Sequence, residues 1–107
     1  MSNDTVYLYN GVLVFNTTKD CEAYFESFRS SRNGTTPENI SLGDGGFYMN
    51  LSVPGAYQSH GFIFTLANIF ADVEATTTQP DCAWLYNAAH SLALLELTKI
   101  NAYLAAQ

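Results

Sequence analysis

The spacing of apolar positions changes several times along this chain, and each change marks an element. Val6-Tyr7-Leu8-Tyr9 and Val12-Leu13-Val14-Phe15 are β-rich runs on either side of Asn10-Gly11. That pair is favoured in type I′ turns, so the segment predicts a hairpin. Thr17 or Thr18 then caps a helix, with Asp20 and Glu22 near its positive end. Cys21, Tyr24, Phe25 and Phe28 follow at i, i+3, i+4 and i+7, which gives that helix one buried face. Asn33-Gly34 reads as its stop and Thr35-Thr36-Pro37 as a loop. A second hairpin follows, from a strand Asn39 to Leu42, a turn with Gly43, Gly45 and Gly46 around Asp44, and a strand Phe47 to Val53. The glycines supply the backbone freedom such a turn needs, and Pro54-Gly55 ends the second strand.

Ser59 predicts the cap of a second helix over His60 to Val73. Its Phe62, Ile63, Phe64, Leu66, Ile69, Phe70 and Val73 are apolar nearly all round, as in a central buried helix. Asp72 and Glu74 would then sit at its negative end, where acids are unfavourable. Ala75 to Pro80 reads as a polar loop and Asp81 as an N-cap. From Cys82 to Gln107 the pattern is helical, with Trp84, Leu85, Ala88, Ala89, Leu92 and Leu95 inward, as one helix or two meeting near Leu97-Thr98. The order ββ-α-ββ-α-α predicts one α+β domain over residues 1–107. Its small antiparallel sheet is built from two hairpins and packs against three to four helices.

Composition narrows the function. The 107 residues are 48% hydrophobic and 14% aromatic, enough for a core. Met1 to Thr5 lacks the basic start and apolar core of a signal peptide, and no apolar run approaches a bilayer span, so the chain reads as cytoplasmic. Ten carboxylates against Lys19, Arg29, Arg32 and Lys99 give a net charge of −6. Direct binding to a phosphate backbone needs a clustered basic footprint, which four cations do not supply. Scattered acids at 13% total charge also fall short of a dense DNA mimic.

Chemistry-bearing residues are few. Cys21 and Cys82 read as reduced packing residues, and with two distant histidines they make no zinc site by spacing. His60 has no Ser, Cys or carboxylate at a recognisable motif spacing and reads as a surface residue at a helix end. His90, beside Ser91, reads as a solvent-facing or packing residue. Gly43-Asp44-Gly45-Gly46 lacks the helix and lysine of a phosphate loop. No catalytic residue, cofactor site or metal site is expected. The contact candidates are Asp44 at an exposed turn tip, Tyr48 beside it, Tyr7 and Tyr9 on one strand face, and the acids Asp72 and Glu74.

Three segments resemble the antirestriction proteins of the KlcA/ArdB family, found on conjugative plasmids and other mobile elements. These are Phe25-Glu26-Ser27-Phe28 through Asn33-Gly34, Ser41-Leu42 with Gly45-Gly46-Phe47-Tyr48-Met49, and Leu85-Tyr86-Asn87-Ala88 with Leu92-Ala93-Leu94 and Ala102 to Ala106. Gly61 with Leu66-Ala67 is similar to that family's central helix. The resemblance implies a non-enzymatic anti-defence protein of a plasmid or phage. It would relieve type I restriction, or a related defence, through contact with a protein partner such as a host restriction complex.

A rival expectation is a structural or assembly module that forms a homo-oligomer, and a third is an enzyme. Clustered surface acids would favour the first, an apolar patch the second and a polar cleft the third. Under any of these readings, a fluorescence anisotropy titration with duplex DNA at physiological salt is expected to show no binding. Micromolar or tighter binding would refute the charge argument.

Overall fold

The computed structural model describes residues 5–31, 37–79 and 82–107. Five strands and two helices follow in the order β1 (Val6–Val14), α1 (Thr18–Ser30), β2 (Glu38–Ile40), β3 (Gly45–Asn50), β4 (Gln58–Leu66), β5 (Ile69–Thr77) and α2 (Leu85–Ala105). The strands form one antiparallel sheet in the order β1-β5-β4-β3-β2. β2 to β5 run as a meander, and α1 carries the chain from the β1 edge to the β2 edge.

Two of the predicted elements are overturned. The run Val6 to Phe15 is not a hairpin. Asn10 and Gly11 lie inside one continuous strand, paired with Val73 and Asp72 of β5. The predicted helix over His60 to Val73 is a hairpin instead, with Phe62 opposite Val73 and Leu66 opposite Ile69. Ser59 and His60 therefore sit in a strand, and β5 runs through Ala75 to Thr77, where a loop was expected. The fold is a five-stranded antiparallel sheet with two helices, rather than two hairpins under three to four.

The reason is burial on both faces. α2 packs on one side against Phe62, Phe64, Ile69, Ala71, Val73 and Ala75. α1 packs on the other, where Cys21 and Phe25 meet Phe47, Met49, Ile63 and Phe70. Central strands covered on both sides lose polar alternation and read as continuous apolar runs. A short run of that kind carries no period that separates strand from helix.

The other elements follow their local signals. Thr17 caps α1, its Oγ1 accepting from the Asp20 amide at 3.0 Å. The second hairpin forms as expected, with Ile40 opposite Gly46. α2 continues as one helix through Leu97 and Thr98 to Ala105. Its buried residues are Leu85, Ala89, Ala93 and Ile100, whereas Trp84 and Leu95 are exposed rather than inward. The expected stop at Asn33-Gly34 and the Asp81 cap lie outside the described residues. No helix among the described residues is long and apolar enough to cross a membrane.

The two-residue connection Ala67-Asn68 ties several elements together. Ala67 has φ 54°, the left-handed region. Its amide donates to the Asp44 carboxylate at 2.7 Å, and the Asp44 amide donates to Thr65 O at 2.7 Å. Asn68 O accepts from the Phe15 amide at 2.8 Å, while Asn68 Nδ2 donates to Phe15 O at 2.6 Å. The end of β1 and the β2–β3 turn are thereby both fastened to the β4–β5 turn.

Gly43 lies in that contact with φ 63°, and a Cβ there would collide with the Thr65 carbonyl oxygen. Gly55 has φ 80° with open space around it. Gly43→Ala should therefore destabilise by more than about 2 kcal/mol, combining backbone strain with a clash. Gly55→Ala should cost only about 1 kcal/mol of strain. Urea denaturation of the two variants checks this, and equal losses would contradict the close approach.

Candidate functional site

The α2-facing side chains of β3 and β4 bring together residues far apart in sequence. Tyr48 of β3 and His60 of β4 meet at 2.6 Å between Oη and Nδ1. Tyr86 and His90, one turn apart on α2, stack with rings 6.4 Å apart and 6° from parallel. Tyr86 presents an edge to Tyr48, His60 and Phe62, with centroids 5.1 to 5.6 Å away. His90 meets Phe62 at 5.2 Å. The aromatics thus bind the helix to the sheet through edge-to-face contacts.

Hydrogen bonding assigns the protons. Gln58 Oε1 accepts from the Cys82 amide at 3.1 Å, so its Nε2 is left to face His60 Nε2 at 3.0 Å. An amide NH2 only donates, so His60 Nε2 accepts and the ring proton sits on Nδ1. Nδ1–H then donates to Tyr48 Oη, which leaves the phenolic proton for another acceptor. Burial lowers the His60 pKa, and it also pushes the Tyr48 phenol up to about 12, with the neighbouring Tyr86 and Glu38 adding to it. Both groups are therefore neutral near pH 7.

His60 and Gln58 also form part of the wall of an open cleft of about 460 Å³, closed on its other side by the loop that carries Ser52, Pro54, Gly55 and Tyr57. The Ser52 side chain is already used there, accepting from the Ser59 amide at 3.0 Å and donating to Ser59 O at 3.3 Å. His60 is buried to 7% exposure. The arrangement orients a neutral imidazole and a neutral phenol, and no charged side chain among the described residues lines the cleft. Among the described residues no three His, Cys, Asp or Glu side chains gather as metal ligands.

No protein family, curated protein or solved structure matches this chain. Its own geometry must carry the functional argument.

The six contact candidates have different fates. Tyr7 and Tyr9 are exposed, at 63% and 56%, on the β1 face away from α2. Glu74, half-buried, is paired with Tyr9 across the strands, and Asp72 with Gly11. Asp72 is only 6% exposed, so it offers no contact surface, and neither acid lies at a helix end. Asp44 is exposed, and one of its carboxylate oxygens accepts from the Ala67 amide. Tyr48 is half-buried and bonded to His60.

Sequence reasoning missed Gln58 and Tyr86; His60, expected on the surface at a helix end, is buried in β4, and His90 is a packing residue against Phe62 and Tyr86, one of the two roles expected of it. Alternate positions Gln58, His60, Phe62 and Phe64 share Tyr48's face, but the unbroken run Phe62-Ile63-Phe64 that follows reads equally as one side of a buried helix. Both cysteines are free and buried, Cys21 under α1 and Cys82 in the α2 core. Burial raises the Cys21 pKa, helped by Glu22 and Asp44, so this thiol is a poor nucleophile.

The neutral His60 generates a pH dependence. Its folded pKa lies below the unfolded value of about 6.5, so folding excludes a proton there. Stability is complete above pH ~6.5 and falls as the pH drops below it, by at most ~1.4 kcal/mol per pH unit for one group. His60→Gln should flatten that part of a urea-midpoint profile between pH 7 and 5. An unchanged slope would contradict the assignment.

Proposed function

We propose that this protein acts by surface contact with a protein partner, as a non-enzymatic anti-defence factor of a plasmid or phage. The observation that carries the contact reading is a set of exposed acids on α1 and beside the β2–β3 turn. Asp20, Glu22 and Glu26 project from α1, and Glu38 and Asp44 flank the turn, all exposed. Lys19 and Arg29 offset them only in part, and Arg29 is engaged with Asn39 Oδ1 at 2.8 Å. Such a surface steers towards a basic partner and fixes its orientation. The choice of a restriction system as that partner rests on the resemblance of the Ser41 to Met49 turn and its flanking segments to the KlcA/ArdB family.

The cleft beside His60 supports this reading better than it supports catalysis. The imidazole's two nitrogens are both occupied, and its hydrogen-bond and ring neighbours among the described residues are uncharged. A general base needs a free lone pair within reach of a substrate proton, and His60 Nε2 has given its own to Gln58.

The test plates unmodified phage on cells that carry one type I restriction system, with and without the protein. The wild type should raise plating efficiency. Glu22→Lys with Glu26→Lys should lower that gain by at least tenfold while the thermal melt is kept, because both side chains are exposed and reversal opposes like charges. His60→Gln and Cys82→Ala should retain the activity if they fold. Loss of activity in a folded His60 variant, with silent lysine reversals, would overturn the contact reading.

A further inference from the structure

We infer that the outer edge of β1 is a self-pairing surface, through which two copies of this chain join their sheets antiparallel about a two-fold axis at Asn10. The two edges of the sheet are unlike. At one, β2 has three residues and begins with the charged Glu38. At the other, β1 presents nine residues without a charge, a proline or a bulge in its register with β5. Short, charged or bulged edges resist further pairing, and long apolar ones invite it.

The side chains of β1 are as unsatisfied as its edge. Tyr7, Leu8, Tyr9, Val12, Leu13 and Val14 are all exposed, a dense run for one surface strand. On the α2 side this strip continues into two hollows between strand and helix. One involves Leu8, Leu92 and Leu95, and the other Val12, Val14, Ile100 and Tyr103. Asn10 stands between them, its Nδ2 donating to Glu96 at 2.7 Å. Apolar patches of this extent mark contact sites rather than ordinary surface.

The sequence of β1 is self-complementary about its centre. With Asn10 opposite Asn10, Val6 falls opposite Val14 of the second copy, Tyr7 opposite Leu13, Leu8 opposite Val12, and Tyr9 opposite Gly11. Every pair is uncharged and keeps its face, since directly opposed residues share one side of a sheet. Gly11 leaves room for the larger Tyr9 ring across from it. Isologous contact of this kind is the usual geometry of a two-fold dimer.

Charge selects the same surface. Two chains of net charge −6 repel, so pairing favours an edge strand that carries no charge of its own. Where β1 meets α2 the flanking charges are Glu96 and Lys99, of opposite sign. The remaining nearby acids, Asp72 and Glu74, lie one strand in, on β5. Six half-exposed large side chains, with the adjoining face of α2, would bury roughly 600–800 Å² per copy, the scale of a stable interface. This inference stands independently of which partner the exposed acids meet.

Sedimentation equilibrium of the full chain tests it. Species of twice 11.8 kDa should dominate at tens of micromolar, and a monomer throughout would overturn the inference. Leu8→Lys with Val12→Lys places like charges opposite each other and should weaken the dimer by at least a hundredfold. Leu8→Lys with Val12→Glu places opposite charges together and should recover most of that loss. Within one strand these two positions lie about 13 Å apart, so the recovery reports pairing between copies. A dimer indifferent to both double variants would overturn the edge.

Circular dichroism checks that each variant folds. Should the lysine variants fail to fold, Asn10→Cys decides. Mild oxidation should cross-link it into a dimer, while Tyr7→Cys should not cross-link. The reverse pattern, or none, would contradict the register.

Discussion

The two-residue turn Ala67-Asn68 is the constraint on which the rest of the structure depends. It sends the chain back on itself between the two central strands, and it also gathers the ends of two other elements. Asp44 reaches it from the β2–β3 turn and Phe15 from the end of β1, through four hydrogen bonds of 2.6 to 2.8 Å. Once these are made, the register of β4 on β5 is set, and the neighbours on both sides are held at one end. Ala67 bears a left-handed backbone at a cost of about 1 kcal/mol or more. A bond to a carboxylate offsets such a cost, since charge-assisted hydrogen bonds are the stronger kind.

From that turn the strands run upward between two helices of different character. α1 brings aromatic rings, with Phe25 and Phe28 against Phe47 and Phe70 at 5.2 to 6.3 Å. α2 brings alanines at Ala89 and Ala93 that let the helix approach the sheet closely, and at its first turns the aromatic ring of Tyr86 and the imidazole of His90. The hydrogen-bonded group of Gln58, His60 and Tyr48 sits at that aromatic end. Its paired donors and acceptors let a half-buried cluster stand without net charge. A polar network of this kind is stabilising when its donors and acceptors are matched, and costly when they are not.

How much of this was legible in the sequence depended on whether an element meets water. α1 shows its buried stripe because its other side is solvated, and Thr17 announces its start. The β2–β3 hairpin shows through its glycines, which the Thr65 carbonyl leaves no alternative to at Gly43. β4 and β5 were hidden because both their faces are covered, so Gly61 to Val73 offers no polar alternation. Asn10-Gly11 misled for a different reason. The pair is permissive for a turn but does not compel one, and pairing with Val73 and Asp72 of β5 outweighs the local preference. The His60 cluster could not be read at all until β4 was a strand, because only its register brings Tyr48 to that side chain. The surface candidates divided in the same way. Tyr7 and Tyr9 lie open as an edge strand allows, whereas Asp72, on the same face but one strand in, is covered.

Native-state hydrogen exchange, followed residue by residue, tests this account most directly. Turn amides ordinarily exchange within the fastest class, because they face water and fluctuate locally. Here the amides of Ala67, Asp44 and Phe15 should be protected nearly as strongly as Phe62, Phe64, Ala71 and Val73, and they should lose protection together with them as urea is added. Fast exchange at those three turn amides, while the β4 and β5 interiors stay protected, would show that the turn does not hold the sheet and would contradict the account.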